Sequence, residues 1–405
     1  MILILSHNTL KYLLCNGHAP MDKVHLISAS QTPFGRATKS GRELLVEACA
    51  KAIDVAGISP KDIQAGYVAN CFGFLEWQSH YGPILMSTLG NPDAPCTTVA
   101  SACASGSSAL REAYVGVAGG FYDCVLVSGF ERFGVTDTTK ATTYFTLGCD
   151  RVFEAANGAT FPGLYALMAS KYFEKYGATE EDLAYIAVKN HRNALDNPVA
   201  HIRKAITVED VMRSPYVARP IKVLDCCPFS EGAAAAIVCS EGFAKKHAKE
   251  RIEVLASART GGDIALHPRE DIASIDSAVR AGRDAFKHAK LERKDIDLLE
   301  VHDCFTIAEA MALEDLGFVE RGDGARLARD GVTEKDGRIP VNTSGGLKAK
   351  GHPVAATGVA QLVDVFEQLT SQAGKRQVKG AETALTHNVG ATGGSCAVHI
   401  FRRSR

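Results

Sequence analysis

The chain has 405 residues, 46% of them hydrophobic, which is enough for two core units or one large α/β body. Its 45 Lys and Arg residues balance 46 Asp and Glu residues to a formal net charge of -1, so a nucleic-acid partner is not expected. Because no apolar stretch approaches the ~20 residues of a membrane span, the sequence predicts a soluble protein with no membrane partner.

The first strand is predicted to follow an N-terminal extension. Residues 1–20 are expected to lie outside the fold, with Met21 as the natural start, because a β-branched segment begins only at residue 24. This segment, residues 24–28, is predicted to be a strand, and an amphipathic helix and a second strand are predicted to follow it.

One cysteine lies at the predicted start of a helix. The run ACASG, in which Cys103 is the second residue, precedes small and apolar residues that predict a helix over residues 103–118. A helix N-terminus favours an anion, so we expect the pKa of this thiol to lie below the usual ~8.5. Cys103 is therefore predicted to be a nucleophile. A buried small hydrophobic residue is the alternative interpretation.

A long insertion interrupts the first half. It covers about residues 131–219, between strands predicted at 124–127 and 232–238, and includes a predicted helix over residues 179–193. An insertion at the end of a strand commonly covers a site. Its basic residues, among them His191, either meet a phosphate-bearing ligand or form a solvated surface.

The second half of the chain repeats the plan of the first. Residues 52–63 align with residues 285–296, sharing alanines and a Lys-Asp-Ile triplet, and a Cys-Phe pair recurs at Cys71 and Cys304. Each half alternates short apolar strands with helices. This repeat predicts a layered α/β architecture.

Three further motifs follow in the second half. The sequence HDCF occupies residues 302–305, and GHP occupies residues 351–353, before a helix predicted over residues 354–369. A glycine-rich loop at residues 387–394 follows a strand predicted at 383–386. Together with Cys103, the HDCF and GHP motifs supply two imidazoles and a second thiol.

Each of these residues also has a structural interpretation. Cys304 could fill the core, His352 could cap a helix, and His302 could be a hydrogen-bonded structural histidine. The glycine before His352 and the proline after it favour a functional turn. His387 is expected to support the site rather than react, and Cys396 is expected to lie in the core.

The four motifs in this order resemble the thiolases, specifically the sterol-carrier-protein-2 type, from about Val24 to Arg402. The resemblance implies the α/β thiolase fold: two duplicated βαβαβαββ halves in a five-layer α-β-α-β-α body with an inserted loop domain. The halves would cover residues 21–250 and 251–405. Better-known thiolases have NEAF in place of HDCF, and a second cysteine where this chain has Asn388.

The resemblance also implies roles for individual residues. Cys103 would carry the acyl group as a thioester, and His352 would activate its thiol and later face the thioester oxygen. Cys304 would move the α-proton, replacing the missing second cysteine. His302 and His352 would shape the oxyanion pocket for the enolate. The backbone N–H groups of Cys103 and Gly390 would form a second oxyanion hole.

The implied activity is that of an acyl-CoA:acetyl-CoA C-acyltransferase of the 3-oxoacyl-CoA thiolase type, working by ping-pong transfer. Acyl-CoA and CoA are substrates, no bound cofactor or metal is expected, and a homodimer or homotetramer is implied. One alternative is an acyltransferase subunit that uses a non-CoA acceptor or needs a small partner protein. Another is a non-catalytic lipid-binding protein of the same fold.

The cysteines bear on compartment and on metal binding. The chain has 12 of them at irregular spacing, without a secretory segment before them, so free thiols in a reducing compartment are expected. The cytoplasm is favoured over the peroxisome or mitochondrion. The adjacent pair Cys226 and Cys227 lacks the spacing of a metal site.

Overall fold

The computed structural model describes residues 22–134 and 137–404; the predicted extension at residues 1–20 and the proposed start at Met21 lie outside the described residues. In this part of the chain the strands are β1 Val24–Gln31, β2 Ala65–Ala69, β3 Cys96–Val99, β4 Cys124–Glu131, β5 Tyr216–Ala218, β6 Ile221–Lys222, β7 Gly232–Ser240, β8 Ile252–Gly261, β9 Leu298–Glu300, β10 Thr383–Gly390 and β11 Ser395–Arg403. The α-helices are α1 Gly41–Ala56, α2 Tyr81–Thr88, α3 Ser105–Ala118, α4 Thr138–Phe145, α5 Phe161–Tyr176, α6 Glu180–Leu195, α7 Val208–Arg213, α8 Glu241–His247, α9 Asp276–Ala289, α10 Thr306–Asp315 and α11 Thr357–Leu369.

A mixed sheet crosses the whole body, in the order β3-β2-β4-β7-β1-β8-β11-β10-β9. In the first half β2 is parallel to β3 and β4, and in the second half β10 is parallel to β9. A parallel bridge from Leu299 to Val341 stands where the first half has β3. The two halves thus share one strand order, and they join where β1 pairs antiparallel with β8. This shared strand order shows the duplication that the sequence repeat predicts.

The Lys-Asp-Ile triplets of the sequence repeat occupy equivalent short 3-10 turns, Pro60–Asp62 and Arg293–Asp295. In each turn the aspartate accepts a hydrogen bond from the backbone N–H three residues earlier, at 2.7 Å for Asp62 and 2.8 Å for Asp295. The repeated aspartate is therefore a capping residue that orders the chain between helix and strand.

Helices cover both faces of each half of the sheet. Helices α3 and α11 pack together against strands of both halves, whereas α1 packs on the opposite face of the first half. Helices α9 and α10 pack on the remaining face of the second half. Alternate side chains of β4 face these two sides, Val125 one way and Leu126 the other. The result is the predicted α-β-α-β-α layering.

The interruption of the first half lies between β4 and β7, and its helix α5 packs against α10 of the second half. Two helices begin later than predicted: α3 begins at Ser105 rather than residue 103, and α11 at Thr357 rather than residue 354. In both places the preceding residues form a tight turn that carries a predicted site residue. Within the described residues, no helix combines the length and apolar character needed to cross a bilayer.

Candidate active site

Three predicted site residues, Cys103, Cys304 and His352, line one apolar cavity of about 320 Å³, and the ring of His302 contacts that of His352. Cys103 follows β3, and His302 and Cys304 follow β9, so the site lies beyond the carboxyl ends of parallel strands, where α/β proteins commonly bind ligands. His352 joins them from the turn before α11. The insertion supplies much of the remaining wall. The lining residues are Cys103, Thr138, Thr142, Phe145, Phe161, Pro162, Tyr165, Ile202, Val217, Val223, Leu224, Cys226, Cys227, Pro228, Phe229, Cys304, Phe305, Lys348, His352 and Ala391.

Cys103 lies in a tight turn just before α3. Ala102 has φ +47°, a strained value for a residue with a side chain. The Ser105 hydroxyl locks the turn, since it donates to the Ala102 carbonyl at 2.6 Å and accepts the Ser101 N–H at 2.7 Å. The thiol is therefore presented to the cavity by a braced turn and is 9% exposed.

The expectation of a lowered thiol pKa is wrong. Burial raises the pKa of Cys103 to about 11, and the buried carboxylate of Glu131 adds to the rise. The backbone N–H of Ala391 faces the sulfur and opposes the shift, but less strongly. Desolvation outweighs the helix terminus here because the thiol lies two residues before α3 in an apolar cavity. The Cys103 thiol is therefore neutral at rest.

His352 follows a π-helical turn, Gly346–Lys350, and precedes α11. Its Nδ1 lies 2.6 Å from the hydroxyl of Thr357, and that hydroxyl donates to the Pro353 carbonyl at 3.0 Å. The hydroxyl must then accept from Nδ1–H, which assigns the ring proton to Nδ1 and a basic lone pair to Nε2. Burial lowers the pKa of His352 to about 3, so the imidazole is neutral.

His302 presents the opposite tautomer. Its Nδ1 accepts a hydrogen bond from the Asn388 side-chain amide at 2.9 Å, so its proton lies on Nε2. Burial lowers the pKa of His302 well below its usual range. The rings of His302 and His352 meet edge to face, with centroids 5.2 Å apart. One ring nitrogen near the nucleophile is thus a base and the other a donor. His387, as expected, supports the site: its Nδ1 lies 3.4 Å from the His302 backbone nitrogen.

Cys304 lines the same cavity and is 6% exposed. Burial and the neighbouring Cys103 raise its pKa well above the usual range, while a hydrogen bond with Tyr165 opposes that rise. At rest the single O–H of Tyr165 donates to the Ala391 carbonyl at 3.0 Å. The second thiol is protonated at rest. Cys396, predicted to be core, is fully buried.

Gly390, the last residue of β10, lies against the turn that carries Cys103. A Cβ at this position would overlap the Ser395 hydroxyl and lie 2.7 Å from the Ser101 carbonyl oxygen. Glycine therefore allows β10 to approach the turn that carries Cys103. The next residue, Ala391, adopts φ +57° and directs its N–H to the thiol.

Asp303 couples the HDCF and GHP motifs. Its carboxylate accepts the N–H groups of Leu347 at 2.6 Å and Lys348 at 3.2 Å, inside the turn that leads to His352. Gly346 has φ +58°, and a Cβ there would overlap this carboxylate. The buried aspartate thus orients the turn that places the histidine.

Sequence reasoning missed several cavity residues. Tyr165 and Lys348 carry no motif, and Ala391 acts through its backbone. Cys226 and Cys227, considered only as metal ligands, line the cavity. The strained φ of Ala391 has no sequence signal, whereas Lys348 could have been found as a basic residue in an otherwise small and apolar run.

Among the described residues, one group of side chains could hold a metal ion: the ligand atoms of Cys103, His302 and His352 lie within 4.8 Å of one another. One thiolate and two imidazoles form a donor set that zinc accepts. Binding there would require the thiol to ionise.

Comparison with known proteins identifies the fold and then the family. The family model described as "Thiolase, N-terminal domain" matches residues 24–242, and "Thiolase C-terminal domain-like" matches residues 261–403. The α/β body with its duplicated sheet is therefore a thiolase fold. The chain belongs to the thiolase family, which is a family of acyltransferase enzymes.

Individual relatives span nearly all of the chain. An acetyl-CoA acetyltransferase of Methanothermobacter thermautotrophicus is 48% identical, covering 95% of this chain and 100% of that protein. Sterol carrier protein 2 of Bos taurus is 32% identical over 94% of this chain and 72% of its own. The benzoylsuccinyl-CoA thiolase subunit BbsB of Thauera aromatica is 33% identical, covering 95% and 98%.

A solved structure of human mitochondrial 3-ketoacyl-CoA thiolase superimposes with a TM-score of 0.74. It covers 96% of this chain and 100% of its own, at 18% identity. At that identity the likeness concerns the fold alone.

Proposed function

We propose that this enzyme is an acyl-CoA:acetyl-CoA C-acyltransferase that works by ping-pong transfer through a thioester on Cys103. The observation that carries the proposal is the meeting of this thiol, a basic imidazole nitrogen and a donor imidazole nitrogen within 4.8 Å in an apolar cavity. Relatives named acetyl-CoA acetyltransferase support the acetyl-CoA part of the assignment. Coenzyme A thioesters are substrates, and the chemistry needs no resident cofactor.

The first half-reaction begins with a neutral Cys103 thiol and a neutral His352 imidazole. As the Cys103 sulfur attacks the 3-oxo carbonyl of a 3-oxoacyl-CoA, Nε2 of His352 takes the thiol proton. The carbonyl oxygen becomes an oxyanion that the backbone N–H groups of Cys103 and Gly390 would bind, with the Ala391 N–H beside them. When this intermediate collapses, the carbon–carbon bond breaks, leaving acyl-Cys103 and the enolate of acetyl-CoA.

The enolate oxygen then needs a hydrogen-bond donor, and the enolate carbon needs a proton. Nε2–H of His302 faces the site and would bind the enolate oxygen, with His352 completing the pocket. Cys304, protonated at rest, gives its proton to the carbon and becomes a thiolate. Acetyl-CoA leaves at this point.

The second half-reaction restores the site. Free CoA gives its thiol proton to the Cys304 thiolate and attacks the acyl-Cys103 carbonyl. The tetrahedral intermediate expels the Cys103 thiolate, which recovers its proton from the His352 imidazolium. Every group returns to its starting state, and the reverse sequence is a Claisen condensation.

Intact-protein mass tests this proposal directly. The wild-type enzyme mixed with acetyl-CoA or acetoacetyl-CoA should gain one acetyl group, and free CoA should discharge it. Cys103→Ala should gain none. Cys226→Ala is a matched control, since it removes another thiol of the same cavity that has no role in the steps above. An acetyl group that persists in Cys103→Ala refutes the assigned nucleophile.

Retention of the complete site argues against a non-catalytic lipid-binding protein. A partner-dependent acyltransferase, which could also use a non-CoA acceptor, is a second proposal because one relative, at 33% identity, is named as a thiolase subunit. Full turnover by the purified chain alone would exclude the need for a small partner protein. Turnover that appears only with the cell extract supports it.

We propose a homodimer, or a homotetramer built from it, because the sheet ends in an edge strand that a second subunit could extend. Strand β3 ends the sheet on its first-half side, and its side chains are half-buried or exposed. An edge strand of this kind can pair with its copy in a second subunit. Light scattering of the purified protein distinguishes monomer, dimer and tetramer, and Thr98→Pro, which removes an N–H that faces away from β2, should weaken a dimer that forms through β3.

We propose the cellular compartment of this enzyme from the state of its cysteines. All 11 cysteines of the described residues are free, which suits a reducing compartment such as the cytoplasm. Fractionation of the source cells tests this assignment.

A further inference from the structure

Lys348 is a buried lysine in the wall of the catalytic cavity, and burial lowers the pKa of its amine. Four lysines are fully buried within residues 22–134 and 137–404, and Lys348 is 1% exposed. The other three form ion pairs: Lys189 with Glu309, Lys222 with Glu180, and Lys350 with Asp364. An ammonium group out of water normally needs such a counter-ion. The lysine that lines the cavity is the exception.

The protein supplies Lys348 with one neutral partner. Its Nζ lies 3.2 Å from Nε2 of His191, whose Nδ1 bonds to the Lys204 carbonyl at 2.9 Å. The Nδ1 proton is therefore donated to the carbonyl, and Nε2 accepts from the lysine. Burial, and then the charge of Lys348, lower the pKa of His191 to about 4. This histidine is uncharged and 1% exposed, so neither alternative from the sequence, a phosphate contact or a solvated surface, fits its position.

The nearest carboxylates are already engaged. Asp303 accepts the backbone N–H groups of the π-helical turn, and Asp225 accepts the Lys222 N–H at 2.8 Å and the Thr306 hydroxyl at 2.9 Å. Neither lies within ion-pair distance of the Lys348 amine among the described residues, although the charges of both raise its pKa against the stronger effect of burial. An ammonium has three N–H donors, and His191 accepts one of them.

The cavity determines which groups lie near the remaining N–H donors of Lys348. Cys103 and His352 line the same space, so an acyl group on the nucleophile extends into a chamber whose wall includes Lys348. A cavity of about 320 Å³ lies within the range of roughly 300 to 1,000 Å³ that small-molecule sites occupy, so it has more room than a short acyl group needs. In an apolar chamber a charge pair is much stronger than in water.

We propose that Lys348 binds a carboxylate at the far end of the acyl group, so that the enzyme accepts acyl-CoA substrates whose acyl part is a dicarboxylic acid. This inference rests on the proposed function and narrows its substrate class. The substrate then supplies the counter-ion that the other buried lysines receive from the protein. His191 is a positioning residue that holds the amine toward the chamber.

The test compares succinyl-CoA with butanoyl-CoA, whose acyl groups have equal carbon number and differ in the terminal carboxylate. The rate of thioester formation on Cys103 is measured for each by mass. Lys348→Met should lower the succinyl-to-butanoyl rate ratio about 10- to 100-fold, the range expected for one charge-assisted hydrogen bond. Lys348→Arg, which keeps the charge, should restore part of the ratio. Lys51→Met removes an exposed lysine and should leave the ratio unchanged.

A binding measurement separates the two proposals. In Cys103→Ala, titration calorimetry compares the affinities of the same two thioesters, with and without Lys348→Met. One outcome is that Cys103→Ala prefers succinyl-CoA only when Lys348 is present, while the wild type forms no thioester. That outcome would overturn the proposed function and keep this inference. Equal ratios in the wild type and Lys348→Met overturn the inference alone. If thermal melting shows that Lys348→Met fails to fold, Lys348→Gln takes its place.

Discussion

A neutral Cys103 thiol makes a quantitative prediction for its reaction with a small disulfide reagent. With a pKa of about 11, roughly one thiol in a thousand is ionised at pH 8, against about a quarter for an ordinary cysteine at ~8.5. The ionised fraction is thus about 240-fold lower. A thiolate of higher pKa is about tenfold more nucleophilic over this interval, because the Brønsted coefficient is about 0.4 to 0.5. The net expectation is a rate about 20-fold below that of free glutathione.

The pH profile gives the sharper measurement. The rate at Cys103, quantified by peptide mass between about pH 6 and 9.5, should rise without a plateau, since the pKa values of Cys103 and His352 both lie outside that window. The rise should be less steep near pH 8, where the buried Glu131 ionises and its charge opposes the thiolate. A thiolate and imidazolium ion pair would instead give an inflection at pH 5 to 7 and a plateau above it. That plateau would refute the neutral resting state.

The variant His352→Gln separates the two functions of the histidine. A neutral imidazole does not hold a resting thiolate, so the disulfide reaction should change little. Thioester formation from acetyl-CoA should fall about 10² to 10⁴-fold, because the proton acceptor for the attack is missing. Equal losses in both reactions would show that His352 ionises the thiol before substrate binds.

Two further substitutions test how the site is held. Gly346→Ala would push a Cβ into the Asp303 carboxylate, whereas Gly57→Ala, at a similar φ of +66°, meets nothing within 4 Å. Urea unfolding should show a loss of about 1 kcal/mol for Gly57→Ala and at least about 1 to 3 kcal/mol more for Gly346→Ala; equal losses would contradict the steric argument. Asn388→Asp should move the His302 proton to Nδ1 and slow carbon–carbon bond cleavage about 10² to 10³-fold, leaving acetyl transfer to the nucleophile intact. Unchanged cleavage kinetics would remove His302 from the enolate pocket.

Local sequence was sufficient for the duplicated plan of this protein. The Lys-Asp-Ile triplets predict equivalent structure because a capping aspartate acts on the backbone three residues away. The motifs around Cys103, His302, His352 and Gly390 could be recognised because turns and close approaches constrain the residues next to them. Their proximity followed from the family resemblance and is seen in the cavity.

The thiol pKa and the histidine tautomers of the site could not be predicted from local sequence. The sequence predicted a lowered pKa for Cys103 from its position before a helix, whereas burial by the insertion and by distant strands raises it. The tautomers of His302 and His352 depend on Asn388 and Thr357, and only the folded chain shows which ring nitrogen each partner occupies.

By itself, then, the sequence determined the order of strands and helices, the repeat and the reactive residue types, because these depend on contacts within a few residues. The tertiary structure decided which groups are charged, which N–H meets the thiol, and that Lys348 faces the cavity without a carboxylate. These properties depend on desolvation and on partners distant in the chain, and both arise only when the two halves and the insertion pack together.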